Sequence, residues 1–350
     1  MILVIIVDIL SFSLTELEEY LVANKFKKFN ARQIYEWVYK KQVDDFKQMT
    51  NLSKNLRAFL EEHMEISSFK DQFIQTASDG TMKFLFTLSD GNIIETVLMR
   101  HNYGNSVCVT TQLGCNIGCT FCASGLQKKK RDLKASEIVG QILAVEAQIK
   151  DRVSHVVVMG IGEPFDNYDE TMKFIDIINN PYGLEIGARH ITISTSGIVP
   201  KIKEFAHQDK QVNLAISLHA PNNKLRTELM KINAVYPIRD LIKAVQYYID
   251  QTNRRVTFEY ILLDHVNDEL SHADELSDLL RGINCYVNLI RYNKVEEFSY
   301  EGSSETRANM FHERLLKRGI TATLRREKGG DIDAACGQLR SKKIKESEKL

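Results

Sequence analysis

The sequence predicts an α/β fold in which a mostly parallel sheet curls into a partial barrel, preceded by a small helical unit. Three observations predict it. From Ser106 onward, β-branched runs alternate with amphipathic stretches, as repeated βα units do. No GxGxxG opens the first unit, as a doubly wound nucleotide-binding sheet would require. A chain of 350 residues is long enough for one barrel and an appendage.

The elements follow in order. Between Ser13 and Met64, "LTELEEYLVANKFKKFNARQIYEWVYKKQ" places apolar residues at three- and four-residue steps, which predicts helices with Asn30 as a cap. "TMKFLFTLSDGNIIETVLMRH" alternates around Asp90-Gly91 and predicts a hairpin that bridges into the main domain. Strands are expected at "SVCVTTQ", "HVVVMG", "HITISTSG", "VNLAISLHA", "RRVTFEYILL", "CYVNLIRYN" and "ITATLRRE". Between them, "IRDLIKAVQYYIDQTN" sets Ile238, Leu241, Ile242, Val245 and Ile249 on one helix face. This divides the chain into a helical accessory unit over 1–75, a linking hairpin over 76–105, the barrel over 106–340 and a charged, frayed tail over 341–350.

Composition narrows the function. Lys and Arg number 46, as do Asp and Glu, so no bulk field draws the chain onto nucleic acid, and any RNA contact would have to come from local patches. The apolar start "MILVIIVDIL" is broken at Asp8, too short to span a bilayer and without an export signal. A cytoplasmic protein with no membrane contact is expected. In that reducing compartment six cysteines point to metal binding or catalysis rather than structural pairing.

Cys115, Cys119 and Cys122 form CxxxCxxC directly after the first barrel strand, in a loop at its carboxyl end where such barrels place active sites. Three thiolates suit three irons of a cubic [4Fe-4S] cluster, leaving the fourth iron open to a ligand. Zinc would want a fourth ligand in a second short pair. None follows at that spacing. A zinc-stabilised, non-catalytic RNA-binding protein is the alternative of another class.

CxxxCxxC in this position resembles the radical S-adenosylmethionine enzymes. Together, "SVCVTTQLGCNIGCTFC", "GIGEPFDNY", "HITISTSGI", "AISLHAPN" and "RREKGGDIDAACGQL" resemble the RlmN/Cfr family of RNA adenosine methyltransferases, from about Leu17 to Leu339. The resemblance implies a radical S-adenosylmethionine (βα) partial barrel with a [4Fe-4S] cluster on Cys115, Cys119 and Cys122, and two molecules of S-adenosylmethionine per turnover. It implies that Cys336 becomes S-methylcysteine and that the radical made from a second S-adenosylmethionine removes a hydrogen from its methyl group. The resulting carbon then adds to adenine, and Cys108 releases the product by closing a transient disulfide with Cys336. The family's proton acceptor matches Glu95, a carboxylate on an otherwise apolar strand. Contacts to S-adenosylmethionine map to Gly162, Glu163, Ser194, Ser217, Leu218, His219 and Asn293. Cys285 matches no role and is read as a core residue.

The implied partners are 23S rRNA at the peptidyl-transferase loop, tRNA at the adenosine 3′ of the anticodon, and a low-potential electron donor such as flavodoxin or ferredoxin, serving a monomer. Lys128 to Arg131 beside the cluster loop, and the basic helical stretch with Tyr35, Trp37 and Tyr39, are candidate phosphate and base contacts. "GIGEP" and "RREKGGD" resemble the members that methylate adenine C2; "NLIRYN" looks more like the C8-methylating, resistance-conferring members. C2 is the expectation and C8 the alternative.

Overall fold

The computed structural model describes residues 6–326 and 328–339. Its main sheet has ten strands: β1 (Asp71–Thr76), β2 (Met82–Thr87), β3 (Ile93–His101), β4 (Gly104–Cys108), β5 (Val153–Val158), β6 (Ile191–Thr195), β7 (Asn213–Ser217), β8 (Val256–Leu262), β9 (Cys285–Arg291) and β10 (Ala322–Leu324). Their spatial order is their chain order. Strands β1 to β4 pair antiparallel. From β4 to β10 every pairing is parallel. Each parallel step needs a long crossover, and a helix supplies it.

Those helices are α4 (Ala135–Ile149), α5 (Tyr168–Asn179), α6 (Val199–Phe205), α7 (Asn223–Leu229) with α8 (Ile238–Thr252), α9 (Leu270–Leu280) and α10 (Glu305–Lys317). In α8 the four-residue rhythm buries Ile238, Leu241, Val245 and Ile249. The predicted strands all form. The hairpin is more than a bridge, however: β2 and β3 continue the barrel sheet, and β1 extends it by a strand whose polar "DQFIQT" gave no alternating signal.

The sheet does not close by strand pairing, since β1 and β10 are its edges. The segment after β10 crosses the gap instead. Asp79 accepts from Gly329 N, Asp331 from Ser78 N, and the Asp333 carbonyl from Lys83 Nζ, at 3.3, 2.9 and 3.4 Å. Gly329 has φ +66°, and a Cβ there would stand 2.9 Å from Thr81 Cγ2, so this crossing demands glycine.

The N-terminal helices are α1 (Leu14–Ala23), α2 (Asn30–Tyr35), which runs into a π turn at Glu36–Lys40, and α3 (Lys54–His63). Ser13 and Glu16 form a capping box on α1, and Ser53 caps α3. Asn30 is not a cap: it lies inside α2, and its amide donates to Gln33. Leu17, Leu21, Ile34 and Leu60 belong to one hydrophobic core continuous with that of the barrel, so the unit has no core of its own. Lys173–Glu16 and Gln42–Glu146 contacts, 2.8 and 2.6 Å, fasten it across α5 and α4. Among the described residues no helix is long and apolar enough to cross a membrane. The tail over 341–350 lies outside the described residues.

Candidate active site

The cysteine loop leaves the sheet just beyond β4. Gln112–Leu113 pairs antiparallel with Arg131–Asp132, pinching the loop at its base. Its far side is held by the C-terminal segment, where Ala123 N donates to Gly337 O at 2.8 Å and Ser124 Oγ to Leu339 O at 3.3 Å. These bonds bring Cys336 to the trio.

Two chambers result. The inner one, about 160 Å³, is walled by Cys115, Cys119 and Cys122 together with Gly162, Glu163, Ser194, Ser217, His219 and Glu259. The outer one, about 590 Å³, is walled by Val97, Met99, Cys108, Asn293, Arg325 and residues of β10 and α10. Cys336 lines both. All six cysteines are free thiols.

Burial pushes the three loop thiols up, Cys115 to about 12 and Cys119 and Cys122 also above their usual range. Such desolvated sulfurs are poor free anions, whereas a coordinating cation deprotonates them outright. Three thiols facing one chamber suit a cubane, which needs each thiolate on its own iron around a shared space.

The rest of the inner wall is fixed by backbone. Gly162 has φ +111°, and a Cβ there would meet Gln112 Cβ at 2.7 Å, so only glycine lets the chain turn here. Glu163 is buried, accepting from Phe165 N at 3.0 Å and Ser196 N at 2.7 Å; its remaining lone pairs suit an ammonium group. Ser194 and Ser217 share a hydroxyl contact of 3.3 Å. His219, at φ +57°, takes the Ile261 N–H on Nδ1 at 3.1 Å, which leaves the proton on Nε2; burial, then Arg226, lowers its pKa to about 3, so it donates as a neutral ring.

Two assigned residues stand elsewhere. Leu218 contributes no chamber wall: just past the end of β7, Ser217 and His219 face the inner chamber while Leu218 packs into the main core, its carbonyl accepting from Arg226 at 3.2 Å. Asn293 lines the outer chamber rather than the inner. Glu95 is buried on β3, its carbonyl accepting from Thr110 Oγ1 at 2.5 Å, on the same strand face as Val97 and Met99 of the outer wall. Cys108, at the end of β4, is raised to about 12, by burial first and Cys336 second. Cys285 is half-buried at the start of β9.

Three charged residues were given no site role by the sequence reading, although Arg325 lies within the quoted "RREKGGD". Arg226, fully buried on α7, donates to the carbonyls of Leu218, Ser217 and Ser196, tying together the loops that carry the inner wall. Glu259 on β8 lines the inner chamber, accepts from Asn288 at 2.8 Å, and is lifted to about 7 by burial. Arg325 places Nη1 3.7 Å from the Cys336 sulfur, and Coulombic attraction between the two is the first cause of the raised arginine pKa. The signal was available: Glu259 interrupts an apolar strand just as Glu95 does.

Two basic stretches are corrected. Tyr35 and Tyr39 are buried in the core and cannot stack on bases, while Trp37 is half-buried and donates to Asn51 at 2.5 Å. Beside the cluster loop, Lys129 is paired with Asp132 and Asp166 and Arg131 with Asp90 and Glu137. Lys128 and Lys130 are left exposed.

Comparison with known proteins agrees with this geometry. Residues 7–66 match the model of the ribosomal RNA large subunit methyltransferase N-terminal domain, and residues 109–276 that of the radical SAM superfamily. A probable dual-specificity RNA methyltransferase RlmN of Geobacillus kaustophilus is 58% identical over 97% of this chain and 94% of its own. That of Bacillus subtilis is 56% identical over 96% and 93%. The crystal structure of a radical SAM methyltransferase from Sphaerobacter thermophilus superimposes with a TM-score of 0.91 at 44% identity, over 95% of this chain and 99% of that one. The chain belongs to the RlmN family of dual-specificity radical S-adenosylmethionine RNA methyltransferases, whose cofactors are a [4Fe-4S] cluster and S-adenosylmethionine, two molecules per turnover.

Proposed function

We propose that this enzyme methylates adenine C2 of one adenosine in the peptidyl-transferase loop of 23S rRNA and of the adenosine 3′ of the anticodon in tRNA. It works in the cytoplasm as a monomer fed by a low-potential donor such as flavodoxin or ferredoxin. The observation that carries the reading is the position of Cys336, on the wall common to the thiol-trio chamber and the chamber of Cys108.

Cys115, Cys119 and Cys122 would hold the cluster, which when bound would supply the electron for reductive cleavage of S-adenosylmethionine. Glu163, Ser194, Ser217 and His219 offer acceptors and donors that orient the methionine and adenosine parts. The Cys336 sulfur takes the methyl group of one S-adenosylmethionine, with S-adenosylhomocysteine leaving, and after losing one hydrogen atom to the second S-adenosylmethionine that carbon bridges Cys336 to the base in the outer chamber. Glu95 receives the proton lost from the adenine carbon. Cys108 then attacks the Cys336 sulfur, breaking its bond to the methylated base and forming the disulfide. Burial keeps Cys108 a neutral thiol at rest, so the resolving group does not compete for the methyl. "GIGEP" and "RREKGGD" support C2 as the target.

Mass spectrometry of RNA modified in vitro tests the carbon: 2-methyladenosine is expected, and 8-methyladenosine would move the enzyme to the C8 group. Cys336→Ala is expected to abolish methyl uptake. Cys108→Ala retains uptake and accumulates a protein–RNA adduct, and its absence would remove Cys108 from the release step.

A further inference from the structure

Four rings form a ladder across the end of the sheet opposite the cysteine loop, at the ends of β3 to β6. His101 stacks on Tyr103 with centroids 4.6 Å apart and 8° between planes, Tyr103 meets His155 edge-on at 4.9 Å, and His155 stacks on His190 at 4.3 Å. The ladder continues the strand face that walls the outer chamber. Val97 and Met99 line that chamber, and alternation along β3 makes His101 the next residue on the same face. Tyr103, in the turn between β3 and β4, is 64% exposed even with His101 against it.

Cations gather at the same end. Lys328 and Arg326 line the chamber, and Lys328 Nζ donates to the Arg100 carbonyl at 3.1 Å, beside an exposed Arg100 side chain. Arg189, also exposed, adjoins His190. Asp151 at this edge is occupied, accepting from Asn105 at 2.9 Å and Arg152 N at 2.8 Å. Burial, then Lys328 and Arg325, hold His101 below the usual imidazole range, so its ring stays neutral and suited to stacking.

We propose that the His101–Tyr103 pair and the cations around it form the docking platform for the unpaired RNA next to the target adenosine, with a base on the open face of Tyr103 and phosphates on Arg100, Arg326 and Lys328. This rests on the RNA methyltransferase reading and adds the surface by which the strand approaches. A flat exposed ring takes any base, and the cations hold the backbone without reading sequence. An enzyme with two RNA substrates needs that tolerance.

The test uses the full-length, cluster-loaded enzyme and a fluorescent hairpin transcript of the peptidyl-transferase loop. Tyr103→Ala is expected to weaken RNA binding about tenfold, the contribution of one stacked base, while Tyr103→Phe binds within about twofold of wild type. Methylation of Cys336 without RNA is unchanged in both. Unaltered RNA affinity in Tyr103→Ala overturns the proposal, and so does a parallel loss of Cys336 methylation, which would make the turn merely structural. A wild-type enzyme that neither binds nor methylates RNA would strike the functional reading instead.

Discussion

The inner and outer chambers share a wall but differ in how their polar groups are spent. In the inner chamber the charged and ring groups are tied to the protein: Glu163 to two backbone amides, His219 to Ile261, and Arg226 behind the wall to three carbonyls. In the outer chamber the thiols of Cys108 and Cys336 are free, as those of the trio are, but among the described residues the Arg325 side chain has hydrogen-bond contacts only to the Cys336 and Met99 sulfurs, each at 3.7 Å. A chamber that holds the same small molecules every cycle gains from being fixed in advance. One that forms and breaks bonds to a changing partner must keep its groups available.

Removing the deepest commitment should have the largest effect. Arg226→Met leaves three buried carbonyls without their donor, and a loss of about 4 kcal/mol in folding stability is expected from urea unfolding, with S-adenosylmethionine binding lost alongside. A variant as stable as wild type would show that the inner wall is not held from behind.

Glu259 marks the boundary, buried in the inner chamber yet influenced by Arg325 of the outer one. The folded chain keeps its proton to about pH 7, whereas the unfolded chain releases it near 4.5. Wild-type stability therefore falls as pH climbs through that window, by about 3 kcal/mol in total, because the unfolded state binds fewer protons. Glu259→Gln keeps an acceptor for Asn288 and does not titrate. Its stability should stay level, so the gap in its favour widens with pH. Parallel slopes for the two proteins would mean that Glu259 is ionised throughout.

Arg325→Met probes the uncommitted side. With no network to break, stability should change by less than about 1 kcal/mol, while methyl uptake by Cys336 slows about tenfold for the loss of one adjacent charge. Stability loss comparable to that of Arg226→Met would erase the distinction between the chambers.

The same division explains what was legible in the sequence. Strands β2 to β10 were readable because their alternation or β-branched runs reflect burial that each segment carries locally. The cysteine loop was readable because its spacing is the chemistry. The polar edge strand β1 was not, since it owes its place to pairing with β2 rather than to any pattern of its own. Nor was the crossing that joins Gly329, Asp331 and Asp333 to the β1–β2 end of the sheet, which depends on contacts some 250 residues apart in the chain. Nothing in "NKLRTEL" marks Arg226 as buried, and only the three carbonyls converging on it reveal its place. Charge counts misled at Lys129 and Arg131 for a related reason: a run of cations in sequence says nothing about which of them the fold has already neutralised.

That last point gives the smallest expected effect. Lys128 and Lys130 follow the cluster loop without an ion pair among the described residues, although Lys130 touches the Asn92 amide oxygen at 3.2 Å, while Lys129 between them bridges two aspartates at 2.8 Å each. If uncommitted groups are the ones that meet RNA, Lys128→Ala with Lys130→Ala lowers the slope of log affinity against log salt by about 1 to 2, nearly one unit for each phosphate no longer neutralised. Lys129→Ala leaves that slope unchanged and costs less than about 1 kcal/mol of stability, because its pairs are partly exposed. Equal slopes for the double variant and wild type would mean that RNA passes this loop without touching it, and that the strand reaches the outer chamber entirely from the opposite end of the barrel.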